Sequence, residues 1–339
     1  MVIDDSFYMQ LALNEAWKYQ GLTYPNPAVG ALLLDKNNKI ISIEAHKKAG
    51  FPHAEVEALK SGFLRLSDDK LLKEELQNLT DSSKIHEFLI KNSNNLFKEC
   101  AMYVTLEPCA HYGKTPPCAG LISSLGLKKV IIGALDINKE ASGGAEILKS
   151  ANIEIKTNIL EKECELLLEP FKLWSGKNFI FFKHAQTLNG TIDGGYISSE
   201  EMLKFVHALR DKIDLIVVGG NTVRVDRPTL DARKVNGKAP DVLIYSKNSD
   251  FDNTIPLFSV AKRRVFIKDN LSLLESYKFI MIEGGSEMFD AVKDKIHWHL
   301  ALVSPNLKNG KKFDSKIKEE IIHAENVDSE IKIWAKPIF

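Results

Sequence analysis

Three short stretches, Pro52-His53-Ala54-Glu55, Glu107-Pro108-Cys109 and Pro116-Pro117-Cys118, carry the residue types of a metal-dependent hydrolase. One imidazole and two thiolates are three protein ligands for a single tetrahedral Zn²⁺, with the fourth position left for water. Glu55, two residues past the histidine, is placed to take a proton from that water and hand it to a leaving amine, the acid/base role found in zinc deaminases. The metal brings the water's pKa from about 15.7 toward 7, so a hydroxide nucleophile becomes available at neutral pH. A structural zinc is the competing reading. Such sites usually bring four ligands in C-x₂₋₄-C pairs. Here eight residues lie between the cysteines and no fourth ligand stands at comparable spacing.

Elements must carry these groups to one place. Tyr8, Leu11, Ala12, Ala16 and Tyr19 recur at three- and four-residue steps, which predicts a helix over 4–20 stopped at Gly21. Pro25-Asn26-Pro27-Ala28-Val29-Gly30 leads into strands over 31–34 and 39–44. Between its prolines Asn26 is either a rigid amide reader of a heterocycle edge or a turn residue capping its own backbone. His46 precedes the metal histidine, and a helix from Ala54 puts Glu55 in its first turn. Residues 64–98 contain six basic and six acidic side chains among helically spaced leucines. They read as an inserted helical hairpin with a solvated face, and partner binding is the alternative.

A short strand over 101–106 then delivers Glu107-Pro108-Cys109. Each ligand cysteine follows a proline, and if each begins a helix the dipole favours its thiolate. His111 and Lys114 lie in the loop pinned between the cysteines, close to whatever the water attacks. Lys114 is either a point charge for a phosphate or a solvated surface lysine. Strands over 129–134 and 153–157 alternate with helices over 143–151 and 161–174, the pattern of a three-layer α/β domain. Ser175-Gly176-Lys177 is the expected boundary. Beyond it, apolar runs at 179–183, 214–219, 241–245, 264–268, 279–282 and 300–303 alternate with helices such as 199–212 and 286–295, which predicts a mostly parallel sheet. No G-x-G-x-x-G opens this half. Glu283-Gly284-Gly285-Ser286 follows a strand and opens a helix, so it is either a phosphate-approaching backbone or a tight turn. Gly219-Gly220-Asn221-Thr222 with Asp226-Arg227-Pro228 also follows a strand, and reads otherwise as a proline turn.

The 339 residues suffice for about two domains. Forty-five basic residues balance forty-five acidic ones, so no net field draws the chain to nucleic acid or to an anionic membrane. The N-terminus lacks the basic and apolar regions of a signal peptide, and no apolar run reaches membrane-spanning length. With two cysteines assigned to metal, Cys100 and Cys164 are expected as free thiols in a cytoplasmic protein.

P-N-P-A-V-G, H-A-E-V-E-A-L, T-L-E-P-C and the stretch 111–118 together resemble the bifunctional riboflavin-biosynthesis deaminase-reductases, and the resemblance covers most of the chain except 64–98. It implies a cytidine-deaminase-like domain over 1–176 and a dihydrofolate-reductase-like α/β domain over 177–339. The first would hydrolyse an amine from 2,5-diamino-6-(5-phosphoribosylamino)pyrimidin-4-one, and the second would reduce the ribosyl group to ribityl with NADPH. By the same resemblance His53, Cys109 and Cys118 hold zinc, Glu55 shuttles the proton, and Asn26, His46, His111 and Lys114 hold substrate. Ala185, Thr222, Asp226 and 285–291, including Gly285 and Ser286, would contact NADPH, while Lys183, Leu230, Arg233 and Glu283 would face the reductase substrate. The chain departs from the family pattern at Asp136-Ile137-Asn138-Lys139, which lacks two prolines, and at Asn189, where the family has aspartate. It also has a shortened loop over 193–199, and Leu203 stands where the family has a phosphate-binding arginine, with Lys204 beside it as a substitute. A zinc deaminase whose second domain only binds or oligomerises is the alternative; an RNA-binding deaminase-like module is a third reading, disfavoured by the charge balance. Small phosphoribosylaminopyrimidines are the expected partners, with no nucleic acid or membrane, and a homo-oligomer is allowed.

Overall fold

The computed structural model describes residues 3–113, 115–136, 142–195 and 197–339. The chain divides into two compact units, Met1–Phe171 and Lys172–Phe339.

The first unit runs α1 (Asp5–Trp17), β1 (Gly30–Leu34), β2 (Ile40–Ala45), α2 (Ala54–Leu66), α3 (Lys70–Asn78), α4 (Ser82–Asn92), β3 (Ala101–Leu106), α5 (Cys118–Leu125), β4 (Lys129–Ala134), α6 (Gly144–Ser150), β5 (Glu154–Lys156) and the start of α7 (Glu161–Gly176). Its five strands lie in the order β2-β1-β3-β4-β5. The β2-β1-β3 pairs are antiparallel and the β3-β4-β5 pairs parallel. Helices cover both faces, as the alternation of strand and helix predicts. A Cβ on Gly30 would stand 2.0 Å from the Ala12 carbonyl oxygen of α1, whereas one on Gly62 of α2 would strike Leu33. Gly30 and Leu33, an odd number of residues apart on β1, therefore serve opposite layers. The first helix starts where Asp4 accepts a hydrogen bond from the Phe7 N–H, a cap that its short carboxylate is suited to make.

The inserted segment forms the expected pair of helices, each capped by an aspartate: Asp69 accepts from Leu71 and Leu72, and Asp81 from Lys84. The pair is docked as well as solvated. Phe88 meets Phe63 edge-on at 5.4 Å, the Lys60 ammonium donates to the Leu79 carbonyl, and Leu76, Ile85 and Leu89 are fully buried. An apolar stripe of this kind stabilises by roughly 1.5–3 kcal/mol for each large side chain buried.

The second unit contains the last turn of α7, then β6 (Phe179–Thr187), α8 (Glu200–Lys212), β7 (Leu215–Gly219), α9 (Gly220–Asp226), β8 (Asp241–Tyr245), β9 (Val265–Lys268), β10 (Phe279–Glu283), α10 (Ser286–Val292), β11 (Trp298–Ser304), β12 (Lys318–Val327) and β13 (Glu330–Ile338). The sheet order is β12-β13-β11-β6-β10-β7-β8-β9. From β11 to β9 every pair is parallel. Strands covered on both faces read as continuous apolar runs: Ile180, Phe182, Val217, Leu243 and Ile282 pack one face with Phe289, while the tilted rings of Phe181 and Phe279 meet on the other. The antiparallel β12-β13 hairpin is not predicted by the apolar runs, because every position of β12 is exposed or half-buried. Among the described residues no helix is long and apolar enough to cross a membrane.

Candidate active site

His53 is the N-cap of α2, Cys118 the first residue of α5, and Cys109 lies in the loop that follows β3. Of the two cysteines, Cys118 alone begins a helix. Cys109 is held differently: its sulfur accepts the Cys118 backbone N–H at 3.3 Å, one of the donors that a helix start leaves without an intrahelical partner. His53 Nδ1 stands 3.4 Å from the Cys118 sulfur and 3.7 Å from that of Cys109. The three ligand atoms all lie within 4.8 Å of one another. Tetrahedral zinc with Zn–S near 2.3 Å and Zn–N near 2.0–2.1 Å needs nitrogen and sulfur roughly 3.5 Å apart, so this donor set fits the ion. The other ring nitrogen, Nε2, lies 3.5 Å from the Thr115 hydroxyl, which orients the ring from behind. The two sulfurs form a pair in which Cys109 is the acidic member. Hydrogen bonding from Cys118 first, and the His53 ring after it, pull the Cys109 thiol down to about 4 against the effect of burial.

Glu55 is 4% exposed, and burial pushes its carboxyl up to about 7. It lines a cleft of about 340 Å³ together with Asn26, His46, His53, Cys109 and His111. Within the cleft His46 Nδ1 lies 3.0 Å from the Pro52 carbonyl, which can only accept. That nitrogen therefore carries the proton, and in the neutral ring Nε2 accepts from the Asn26 amide at 3.1 Å. Burial first, with His53 nearby, holds the His46 imidazole down at about 4, so it stays neutral. The Asn26 NH₂ is thereby fixed on the histidine, which turns its amide oxygen away from the ring. Of the residues singled out for this site, only Lys114 lies outside the described residues, as do positions 137–139 of the divergent loop.

Glu107 is a positioning residue that motif reading quoted without assigning a role. Its carboxylate accepts the N–H groups of Asp136, Gly143 and Ala145 at 3.1, 3.2 and 2.9 Å. A buried carboxylate with three backbone donors ties the end of β4 to the start of α6 beside the Cys109 loop. Gly144 completes the junction, since a Cβ there would stand 1.8 Å from the Pro108 carbonyl oxygen.

In the second unit Glu283 ends β10, and Thr222 and Gly285 follow the ends of β7 and β10, the side on which open α/β sheets present their sites. Lys183 on β6 and Glu283 on β10 are in register, with the ammonium 3.6 Å from the carboxylate. Arg210 of α8, not singled out by its type or spacing, lies 3.2 Å from both oxygens of Glu283. The arginine and then the lysine hold that carboxyl below its usual value despite burial. Ala185 continues β6, Thr222 and Asp226 belong to α9, and Gly285 and Ser286 open α10. The Ser286 hydroxyl is engaged by the chain itself, accepting from the Asp314 N–H at 2.8 Å. Leu230 is buried at positive φ, and Arg233 is exposed and paired with Asp231. Lys204, beside Leu203 where the family has arginine, is exposed and bridges to Glu201 one turn away. At Asn189 the amide oxygen accepts from the Thr187 hydroxyl, and the NH₂ donates to the Lys308 carbonyl at 2.9 Å. An ionised aspartate cannot make the second bond.

Two family models match the chain: the cytidine and deoxycytidylate deaminase zinc-binding region over residues 2–134, and the RibD C-terminal domain over residues 178–295. The riboflavin biosynthesis protein RibD of Aquifex aeolicus is 34% identical over 328 residues, spanning 94% of this chain and 79% of that protein. The RibD protein of Actinobacillus pleuropneumoniae is 28% identical, spanning 98% and 91%. Among solved structures, a diaminohydroxyphosphoribosylaminopyrimidine deaminase/5-amino-6-(5-phosphoribosylamino)uracil reductase from Thermotoga maritima superposes with a TM-score of 0.64 at 26% identity, covering 98% of each chain.

Proposed function

Because this chain belongs to the RibD family of riboflavin biosynthesis proteins, we propose that it deaminates 2,5-diamino-6-(5-phosphoribosylamino)pyrimidin-4-one and then reduces the product's ribosyl group to ribityl. The chain is a bifunctional enzyme of riboflavin biosynthesis, with a zinc-binding deaminase domain and an NADPH-using reductase domain. Its substrates are small molecules of that pathway. We assign deamination to residues 1–176 and reduction to 177–339.

The observation that carries the deaminase assignment is the convergence of one imidazole nitrogen and two sulfurs beside a buried carboxyl. His53, Cys109 and Cys118 would hold the zinc, which when bound supplies an acidified water and polarises it toward the amidine carbon. Glu55 then moves the protons: its carboxylate takes one from the water and delivers it to the ring nitrogen beside the attacked carbon, then passes the remaining O–H proton to the amino nitrogen, so the C–N bond breaks and ammonia departs as the ring carbonyl forms. A carboxyl whose affinity for the proton is raised by burial is suited to both halves of that transfer. Asn26, held in place by His46, presents a fixed amide edge to the pyrimidine, and His46 and His111 line the same cleft. Lys114 is assigned to the substrate phosphate.

In the reductase domain NADPH supplies a hydride for the open-chain C1 of the sugar. The protein's part is orientation. Ala185, Thr222, Asp226, Gly285 and Ser286 are assigned to the cofactor, and Lys183, Leu230, Arg233 and Glu283 to the substrate. The Lys183-Glu283-Arg210 cluster leaves net positive charge at the strand ends, which favours a phosphorylated ligand. The balanced charge supports an enzyme without nucleic-acid or membrane partners, the free thiols of Cys100 and Cys164 support a cytoplasmic setting, and a homo-oligomer is compatible with both.

Purified protein given the diaminopyrimidine substrate is expected to release ammonia, and on addition of NADPH to lose absorbance at the nicotinamide band while the ribityl product accumulates by mass. Ammonia release without NADPH consumption would leave a deaminase with a silent second domain.

A further inference from the structure

Between α9 and β8 the chain carries Leu230 and Arg233 on a backbone that is braced from outside. Arg227 and Leu230 both stand at positive φ, 44° and 54°, the left-handed region that residues with a Cβ rarely enter. Leu230 is buried there. The brace is visible in the carbonyls. Those of Pro228, Thr229 and Leu230 are consecutive, and each accepts a hydrogen bond from the stretch 257–263: Pro228 from the Leu257 N–H at 3.1 Å, Thr229 and Leu230 from the Arg263 guanidinium at 2.7 and 2.9 Å. The same guanidinium donates to the Leu257 carbonyl, so one side chain clamps both segments. Burial pushes the Arg263 pKa down to about 10, which leaves it a cation at neutral pH. A rigid fork of several donors suits several carbonyls at once. Asp231, next along the chain, faces His207 Nδ1 of α8 at 3.9 Å and pairs with Arg233. One turn further along α8, Arg210 holds Glu283. Movement of the 229–230 backbone would therefore shift Leu230 and Arg233 relative to the Lys183-Glu283-Arg210 cluster.

We propose that Arg263 is a positioning residue of the reductase site: its guanidinium fixes the backbone at 229–230 from behind, so that Leu230 and Arg233 meet the phosphorylated substrate in one arrangement. This rests on the assignment of Leu230 and Arg233 to the reductase substrate and deepens it. A displacement of about 1 Å, even one caused far from the reacting atoms, can cost about 100-fold in rate. Arg263→Met keeps an apolar stem and removes every donor, whereas Arg263→Lys keeps three N–H donors for the carbonyls of Thr229, Leu230 and Leu257.

The test uses the full chain. Steady-state reduction of the deaminated phosphoribosylaminouracil is followed by NADPH absorbance, with ammonia release from the diaminopyrimidine as internal control and the unfolding temperature measured beside them. For Arg263→Met the KM for the phosphoribosylaminouracil is expected to rise about tenfold or more, with kcat and the KM for NADPH within about twofold of wild type and deamination unchanged. Arg263→Lys should recover most of that loss. An arginine that serves stability alone would instead lower the unfolding temperature and the active fraction, and so kcat, while the substrate KM stays where it was. That pattern overturns the proposal. So does a substrate KM within about twofold of wild type in Arg263→Met, or a raised KM that lysine does not improve. If the methionine variant does not fold, Arg263→Gln, which loses the charge and the fork, carries the same comparison. A wild-type chain that deaminates but oxidises no NADPH overturns the reductase reading itself, and the proposal with it.

Discussion

Replacing one carboxylate oxygen with an amide nitrogen separates metal binding from proton transfer in the first unit. Glu55 is not a ligand, so Glu55→Gln should keep about one zinc per chain while deamination falls by about 10²- to 10⁴-fold, with NADPH oxidation on deaminated substrate unchanged. Metal analysis beside ammonia release checks this, and turnover close to wild type would remove Glu55 from its role. Cys109→Ser should instead lose the metal, and deamination with it, because the hydroxyl neither ionises nor binds zinc as a thiolate does. These residues were legible in the sequence because their chemical types have few other uses at that spacing. Glu107 and Arg210 were not. An acid in a motif and an arginine on a helix read alike whether they face water or, as here, three backbone N–H groups and a buried carboxylate.

Loops and strand ends hold what the residues do in place. Gly144→Ala would drive a methyl group into the Pro108 carbonyl and so displace the turn that carries Cys109. A loss of about 1–3 kcal/mol in stability, with weaker zinc binding in titration, is expected. In the second unit Asn189→Asp removes the donor to Lys308 and leaves a carboxylate facing a carbonyl. A cost of about 1–3 kcal/mol in denaturant unfolding should follow, together with a raised KM for NADPH if the 188–195 loop shapes that site. Most elements were predictable because their apolar periods are unbroken, as in the helix that begins at Ala54 and the strand that ends at Leu106. The β12-β13 hairpin escaped because an edge hairpin half in water carries no long apolar run. The inserted helices were legible as helices, but not as docked ones: their charge pattern describes the outer face, and only packing shows that Phe88 and His86 lie inside.

Buried neutral histidines make the whole molecule sensitive to acid. His184 stacks on Phe313 and hydrogen-bonds His299 at 2.8 Å, and His299 in turn faces the Glu319 carboxylate at 3.0 Å. Burial, then the neighbouring His299, holds His184 down at about 3, against an ordinary value of 6.5. Between those values the unfolded chain binds a proton that the folded chain does not. The contribution is therefore complete above about 6.5 and is lost as pH falls toward 3, at up to about 1.4 kcal/mol per pH unit. Unfolding followed by tryptophan fluorescence reports this well, since Trp174, Trp298 and Trp334 all lie in the second unit. The denaturation midpoint should drop between pH 7 and pH 5, and His184→Leu should flatten the slope; an equal slope in the variant would assign the acid sensitivity elsewhere. At this scale the two-unit layout was legible, because each half has its own strand-and-helix alternation.

Zinc X-ray absorption on the purified chain tests the central claim most directly. The account predicts about one zinc per chain, with two sulfurs near 2.3 Å and two lighter donors near 2.0–2.1 Å, one of them the His53 ring. A shell of four protein ligands, or a chain that retains no zinc, would contradict it.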